Sequence, residues 1–433
     1  MPTTSQLPDR TGVAPPATAA GLRPAALDRL DEVTAALAAT AAEHDRTGAF
    51  PHGPIQVVHE AGLLTAGVDA RYGGPGAGFT DLARILLALG KGDPSTALIA
   101  TMTIVPHALQ TRGPWPEQLY ARVLAESALR PTLLNHARAE PDLGSSTSGG
   151  APATTARRTG TGWSISGRKR YVTGAEGLSY FLVWATTDEP TPRVGTFVVP
   201  GGAPGIQVVP TWHQLGMRAT GTHDVVFTDV EVPAEDVIDL AEFGVARLPG
   251  AGSVSGAANS AGAAADGLSP NSVLVLSSAL YLGVARSAQA FVHSFGHERV
   301  PSALGRPLAT TDRFRQAAGE IETLLSTAEQ LVFGVADRLD RGVPVAGSDA
   351  LAAKVMVVRQ LNAAVQAGVR LLGNSGLAQA NPLERHFRDI QSVGVHAPQE
   401  DAAVQVIGAA ALASFPTGSG RAGSGRAGSG RAG

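Results

Sequence analysis

The chain has 433 residues, of which 44% are hydrophobic and 16% charged, and its formal net charge at pH 7 is -3. This length predicts two or three packed domains, and the near-neutral charge gives no broad basic surface for nucleic acid or anionic lipid. The lack of cysteine excludes disulfides, thiolate nucleophiles and cysteine-ligated metals. We therefore expect a cytoplasmic protein without a metal site, a membrane span or a nucleic-acid partner.

Three blocks with different hydrophobic periodicity and composition follow one another along the chain. After a flexible start at residues 1–23, helical periodicity predicts an N-terminal helical domain over residues 24–130. Short β-branched runs separated by Gly, Pro and Asp turns predict an antiparallel β domain over residues 131–240. Long apolar-striped segments predict a C-terminal bundle of the four-helix type over residues 271–414. The expected fold class is α+β.

Two segments of biased composition interrupt this plan. Residues 241–270 are rich in Gly, Ala and Ser and offer almost nothing to bury, so they are predicted to be mobile. They are either a connector or a lid that orders over a substrate. The repeat GSGRAG predicts a disordered tail over residues 415–433.

Three short stretches carry a more specific signal: ARAEPDLGSS at 137–146, GRKRYVTGAEG at 167–177 and LGMRATGTHDVVFTDVEVPAEDV at 215–237. Each of them alone is also what an ordinary β turn produces. Together, in this order and between two helical blocks, they resemble motifs of the acyl-CoA dehydrogenase superfamily. The resemblance covers roughly residues 24–414 and implies the fold of that superfamily, with a flavin as cofactor.

The resemblance also implies which residues contact the flavin. Ser145 and the run Tyr171, Val172 and Thr173 would lie against the ring system, with the hydroxyl of Thr173 near its N5 atom. Trp212 and Arg218 would belong to the loop that shapes the substrate pocket. The first motif departs from the family pattern at Ala139, where a Thr is usual.

Other residues would reach the flavin of a neighbouring subunit, so the resemblance implies a homotetramer. These residues are Arg299 and the turn formed by Gly373, Asn374 and Gly376. The usual Phe and Gln of the adenine-binding segment are replaced by Leu304 and Asp312. We therefore expect FMN ahead of FAD, with a separate flavin reductase as a possible partner.

The stretch RDIQSVGVHAPQED at 388–401 resembles an active-site segment without its catalytic carboxylate. Family dehydrogenases place their α-proton base eight residues after the Asp of the Arg-Asp pair, and this position is Ala397. The second family position, in SPNSVLV at 269–275, contains no acid either. Glu400 and Asp401 are predicted to lie in the first turn of the next helix, where acids are favoured.

His396 directly precedes the empty position. The dibenzothiophene monooxygenase branch of the superfamily has a histidine at this place and another in its helical block, which His107 resembles. A neutral imidazole in a dry pocket suits an oxygen-activating flavin, which needs no α-proton base. A buried histidine can equally be structural, and this alternative stays open for both residues.

The sequence thus predicts a flavin-dependent oxidoreductase. The first hypothesis is a reduced-flavin monooxygenase that acts on a small apolar substrate, and a sulfur or nitrogen atom in that substrate is one option. One alternative is an acyl-CoA dehydrogenase with a relocated base. The other alternative is a catalytically silent subunit that keeps only the fold.

Overall fold

The computed structural model describes residues 24–111, 113, 115–143, 150–242 and 270–415. The predicted flexible start, most of the predicted mobile loop and nearly all of the predicted tail lie outside these residues, as does Ser145. The N-terminal block is helical, as predicted. Its helices are α1 (Leu30–Thr47), α2 (His52–Glu60), α3 (Phe79–Gly92), α4 (Pro94–Leu109) and α5 (Glu117–Ser127).

The boundary between α3 and α4 follows from local chemistry. Asp93 is in an extended conformation, and its carboxylate accepts hydrogen bonds from the backbone N–H groups of Ser95 and Thr96. Pro94 occupies the first turn of α4, where its missing N–H costs nothing. This cap turns the chain sharply, so α4 can pack against the β domain.

The central domain is one sheet. Its strands are β1 (Leu133–Ala137), β2 (Thr155–Arg158), β3 (Gly162–Val172), β4 (Leu178–Thr187), β5 (Arg193–Pro200), β6 (Ile206–Val209), β7 (His223–Pro233) and β8 (Val237–Glu242). Their order is β6-β7-β3-β2-β4-β5-β8, with β1 also paired to β4. The last strand extends two residues beyond the predicted end of the β domain at 240.

Most strand pairs are antiparallel, as predicted. The exceptions are β1 and β2, which both pair with β4 in parallel. Two strands that pair in parallel need a long connection between them. The chain forms β3 before it reaches β4, and this segment provides the connection. Because of this arrangement the carboxyl end of β1 lies in the middle of the sheet rather than at a hairpin.

The C-terminal block is helical, which confirms the predicted fold class. It contains α6 (Pro270–Glu298), α7 (Asp312–Asp340), α8 (Gly347–Leu372), α9 (Pro382–Ile390) and α10 (Glu400–Ala413). Residues Val275–Glu298 of α6 are long and apolar enough to cross a membrane, which the sequence reasoning did not anticipate. Most of this segment is buried inside the bundle, so packing explains its composition.

Two glycines let α3 and α6 approach closely and so join the N-terminal and C-terminal helical blocks. A Cβ atom at Gly90 of α3 would lie under 3.0 Å from the carbonyl oxygen of Leu280. A Cβ atom at Gly283 of α6 would lie equally close to the carbonyl oxygen of Leu87. Neither backbone can move without separating the helices, so only glycine fits at the contact.

The close contact predicts that Gly283→Ala lowers the free energy of unfolding by about 1–3 kcal/mol, because the added methyl group overpacks the helix pair. Gly334→Ala is the matched control, since a Cβ atom added to that helical glycine of α7 would have no neighbouring atom within 4 Å. The control should be neutral or gain up to about 1 kcal/mol from its better helix propensity. Equal denaturation midpoints for the two variants would contradict the packing argument.

Candidate active site

A group of polar side chains lies where β1 and β3 end. Asn135 near the end of β1 is buried, and its side-chain amide donates to the carbonyl oxygen of Thr173 at 2.8 Å. The hydroxyl of Thr222 donates to the hydroxyl of Thr173 at 3.1 Å. The hydroxyls of Thr173, Thr222 and Thr220 form one chain, since those of Thr220 and Thr222 are 2.6 Å apart. Hydroxyl and amide groups of this kind can hydrogen-bond the edge of a flavin ring.

The backbone beside Thr173 is strained. Tyr171 is a non-glycine residue with φ of 54°, and the pairing of β3 with β7 is irregular between Lys169 and Val172. This bulge turns the ring of Tyr171 outward to 55% exposure, whereas Val172 is buried in the core. Strained conformations of this kind concentrate at ligand-binding sites. Tyr171 and Thr173 thus both face away from the core packing of β3, and Val172 serves that packing.

The loop before β7 lies against the same group. Met217 is buried with φ of 54°, and its carbonyl oxygen accepts from the indole N–H of Trp212 and the hydroxyl of Thr220, each at 2.9 Å. Trp212 is partly buried and packs on the core, so it can shape a pocket. Arg218 directs an exposed side chain to the surface.

Helix α9 fixes this loop. The carboxylate of Asp389 accepts the backbone N–H of Met217 at 2.6 Å, and Arg388 donates to the carbonyl oxygen of Leu215 at 3.0 Å. Asp389 is buried, and desolvation raises its pKa to about 7. From the sequence, the Arg388–Asp389 pair served only to locate position 397. In the structure, the pair itself holds the loop through Leu215 and Met217.

His396 lies in the turn before α10, and its Nε2 atom is 2.5 Å from the hydroxyl oxygen of Tyr281 on α6. Burial and the nearby ammonium of Lys354 lower the pKa of His396 to about 4, so the imidazole is neutral at pH 7. Burial raises the pKa of Tyr281 well above 10, with a contribution from the charge of Asp389. The carboxylate of Asp389 thus links the histidine–tyrosine pair electrostatically to the loop at Met217.

Glu400 and Asp401 lie in the first turn of α10, which confirms their predicted place. Glu400 pairs with Arg359 of α8 at 2.6 Å on the surface. This ion pair accounts for the carboxylate of Glu400 without a role as a base. Within the described ranges, no group of three His, Asp or Glu side chains is placed to hold a metal ion.

His107 lies in a different environment. It is buried on α4, and its Nδ1 atom is 3.0 Å from the hydroxyl of Tyr120 on α5. Tyr120 belongs to an apolar cluster with Trp115 and Leu134. The contacts of His107 are therefore with this cluster, whereas those of His396 are with α6 and α8. The geometry favours the structural alternative for His107.

The residues expected at a neighbour's flavin lie far along the bundle. Arg299 follows the end of α6, 18 residues beyond Tyr281, or about 27 Å along the helix axis. The turn at 373–376 follows α8, and its Gly373 and Asn374 are exposed whereas Gly376 is buried against Val369.

Tyr281, Lys354, Asn135 and Thr222 were missed by the sequence reasoning. Lys354 and Tyr281 each interrupt an apolar helical stripe, AAKVMVV and SALYLGV, and a polar residue at a core-facing position was the available signal. The residues Asn135 and Thr222 had no signal of their own, because their importance comes from strand ends that meet only in the folded sheet.

Comparison with known proteins places this geometry in a family. Residues 28–115, 135–230 and 275–400 match the models for the N-terminal, middle and C-terminal domains of acyl-CoA dehydrogenase. YdbM of Bacillus subtilis (strain 168), which carries an acyl-CoA dehydrogenase name, is 31% identical over 87% of this chain and 94% of its own. Amino sugar nitrososynthase RubN8 of Streptomyces rubradiris is 31% identical over 84% of each chain.

Solved structures give the same fold. KijD3 in complex with FMN and a dTDP-linked amino sugar is 27% identical, with a TM-score of 0.73 over 89% of this chain and 93% of its own. FMN-bound TdsC of Paenibacillus sp. A11-2 has a TM-score of 0.75 over 91% and 98% of the two chains, and at 22% identity it shows likeness of fold alone. With all three domains matched in order, the chain belongs to the acyl-CoA dehydrogenase family of flavin-dependent oxidoreductases.

Proposed function

We propose that this protein is a reduced-flavin monooxygenase that acts on a small substrate with an oxidisable nitrogen or sulfur atom. The observation that carries the proposal is the surroundings of Ala397. The dehydrogenase base is replaced by a methyl group next to a neutral His396, and the acid that follows in the chain, Glu400, is paired with Arg359. Removal of an α proton needs a base within hydrogen-bond reach of the carbon.

The chain's own residues suit oxygen chemistry better. When bound, a reduced flavin supplies the electrons that activate O₂. The hydroxyl of Thr173 would hydrogen-bond to the ring edge and so orient the ring. Because burial keeps Tyr281 protonated, its hydroxyl can donate to Nε2 of His396, which places the imidazole proton on Nδ1. The pair therefore holds a proton at a defined atom without carrying a charge.

Relatives support both the chemistry and the cofactor. RubN8 is named as an amino sugar nitrososynthase, and KijD3 was solved with FMN. FMN lacks the adenine half, for which this chain offers Leu304 and Asp312 in place of the family's usual residues; Asp312 is fully exposed. A separate reductase would then deliver the reduced FMN. The dehydrogenase alternative keeps its support from YdbM, which is equally similar in sequence.

The first test distinguishes the monooxygenase from the dehydrogenase. Flavin-loaded protein mixed anaerobically with butyryl-CoA and with octanoyl-CoA should keep its oxidised flavin absorbance, because no base reaches the α carbon. Ala397→Glu is the informative companion variant, since it restores a carboxylate at the family position. Bleaching in that variant alone would show that thioesters enter the pocket, and rapid bleaching of the wild type would overturn the proposal.

The second test concerns the flavin. Titration of the apoprotein with FMN and with FAD should give an FMN dissociation constant no larger than that of FAD. The reason is that Leu304 and Asp312 replace the Phe and Gln that the resemblance implies for an adenine-binding segment. If FAD bound 100-fold more tightly, about 2.7 kcal/mol of adenine contact would exist, and the assignment of FMN would be wrong.

We also propose that the protein assembles through its C-terminal block, as a homotetramer. Helix α10 is largely uncovered, with Leu412 and the following Phe415 each 77% exposed. The turn at Gly373 and Asn374 can meet a flavin only across a subunit boundary, given its distance along α8 from Lys354 of about 28 Å. Exposed apolar surface of this kind is typical of subunit contacts.

The assembly proposal predicts that Leu412→Glu combined with Phe415→Glu lowers the native mass measured by light scattering, because two charges would be buried at the contact. Leu129→Glu is the control, since Leu129 is 85% exposed at the end of α5 and lies outside the C-terminal block. A double variant with the same mass as the wild type would show that α10 is not at the interface.

A further inference from the structure

Lys354 is a buried cation whose contacts are unusual. It lies on α8 with 6% exposure, on a helix face formed otherwise by apolar residues such as Leu351 and Val358. Its ammonium group donates to the carbonyl oxygen of His396 at 2.8 Å and to that of Pro398 at 2.7 Å. Both acceptors belong to the turn that carries His396 between α9 and α10.

The position of the ammonium is costly. Desolvation lowers the pKa of Lys354 to about 8, and its two acceptors are neutral carbonyls rather than a carboxylate. Lys169 of β3 is equally buried, but it pairs with Glu140 at 2.7 Å. An apolar side chain at position 354 would fill the same space without the desolvation cost. The role of the ammonium group therefore lies in its hydrogen bonds to the carbonyl oxygens of His396 and Pro398.

We propose that Lys354 is a positioning residue of the candidate site: by holding the carbonyl groups of His396 and Pro398, it fixes the imidazole of His396 against the hydroxyl of Tyr281. Burial keeps the imidazole neutral, and the charge of Lys354 adds to this effect. The catalytic meaning of this positioning rests on the proposed function, but the positioning itself does not. The contact on α6 is 2.5 Å long, a distance that a freely moving turn would not maintain.

The effect of pH follows from the groups around Lys354. The neighbouring elements contribute these titratable or charged groups: His396, Tyr281 of α6, Asp389 of α9, Glu400 of α10 with Arg359 of α8, and Glu322 and Glu329 of α7 with Arg286 of α6. Of these acids, Glu322 and Glu329 pair with Arg286, and Glu400 pairs with Arg359. Between pH 6 and 9, Asp389 changes charge near pH 7 and Lys354 near pH 8, so only an inflection that is lost on substitution of Lys354 belongs to that residue.

The pH dependence of the folding stability shows whether the charge of Lys354 stabilises the fold. The pKa of Lys354 lies below its ordinary value of 10.5, so the unfolded chain holds this proton more tightly than the folded chain does. The charge therefore opposes folding at pH 7, and the opposition disappears as the pH rises toward 10. A lysine whose charge stabilised the fold would have a raised pKa and the opposite dependence.

The experiment follows His396 directly by NMR of ¹³C-histidine-labelled full-length protein, with the resonance assigned by His396→Gln. In the wild type, we expect no titration of the ring from pH 7 down to 5, and an inflection near pH 8 as Lys354 loses its charge. In Lys354→Met, the inflection should vanish, and the ring should begin to titrate below pH 7 because the released turn exposes it to water. Lys354→Gln should lack the inflection but keep the untitrated ring, since its amide retains two donors.

Lys91→Met is the matched control, since Lys91 is exposed on α3 and should leave the His396 resonance unchanged. An inflection near pH 8 that persists in both variants at position 354, or a wild-type ring that titrates as a free histidine, would overturn the proposal. Both outcomes are readable without flavin, and the wild-type result does not depend on how well any variant folds.

A second measurement connects the positioning with the proposed function. In Lys354→Met, the rate at which air oxidises protein-bound reduced FMN should change by roughly 10- to 100-fold, as it should in His396→Ala. Lys354→Gln should have the wild-type rate at pH 7. If the His396 resonance responds as expected while the oxidation rate does not, the positioning stands and the role of His396 in oxygen chemistry is refuted.

Discussion

The contact between the end of α9 and the loop before β7 holds the three parts of the molecule together. Arg388 forms a double hydrogen bond with Asp45 of α1 at 2.6 and 2.9 Å and also reaches the carbonyl oxygen of Leu215. Asp389 binds the backbone N–H of Met217. A Cβ atom at Gly216 would collide with the carbonyl oxygen of Arg388, so glycine is required between them. Both helical blocks and the sheet thus meet at this buried contact, where loss of one partner of a charge pair would leave the other uncompensated.

The candidate site depends on that point. The carbonyl oxygen of Met217 accepts the hydroxyl of Thr220, which is 2.6 Å from that of Thr222, and Thr222 in turn donates to Thr173. On the other side, Asp389 raises the pKa of Tyr281, the partner of His396. The hydroxyl of Thr173 and the His396–Tyr281 pair are therefore both linked to Asp389. Burial keeps the pair uncharged, as suits a site that must exclude water.

The family fold by itself does not decide the reaction. Relatives of similar identity carry the names of acyl-CoA dehydrogenases and of amino sugar nitrososynthases, and both match this chain over most of its length. The scaffold that orients a flavin is common to them. At the position where the family pattern predicts the base, this chain has Ala397, and the backbone carbonyl of the neighbouring His396 accepts a hydrogen bond from Lys354. The proposal of oxygen chemistry over proton abstraction rests on this one turn of the chain.

The sequence by itself determined the order of helical block, sheet and bundle, because the spacing of apolar residues is a local property that survives in any tertiary context. It also determined that position 397 lacks an acid and that Glu400 begins a helix. Only the tertiary structure decided that β1 runs parallel to β4, that the apolar α6 is a core helix, and that His107 packs with Tyr120. The contacts that define the site join residues 42 and 115 positions apart, Lys354 with His396 and Tyr281 with His396. No periodicity encodes such pairs, since burial and hydrogen bonding between distant segments arise only when the helices pack.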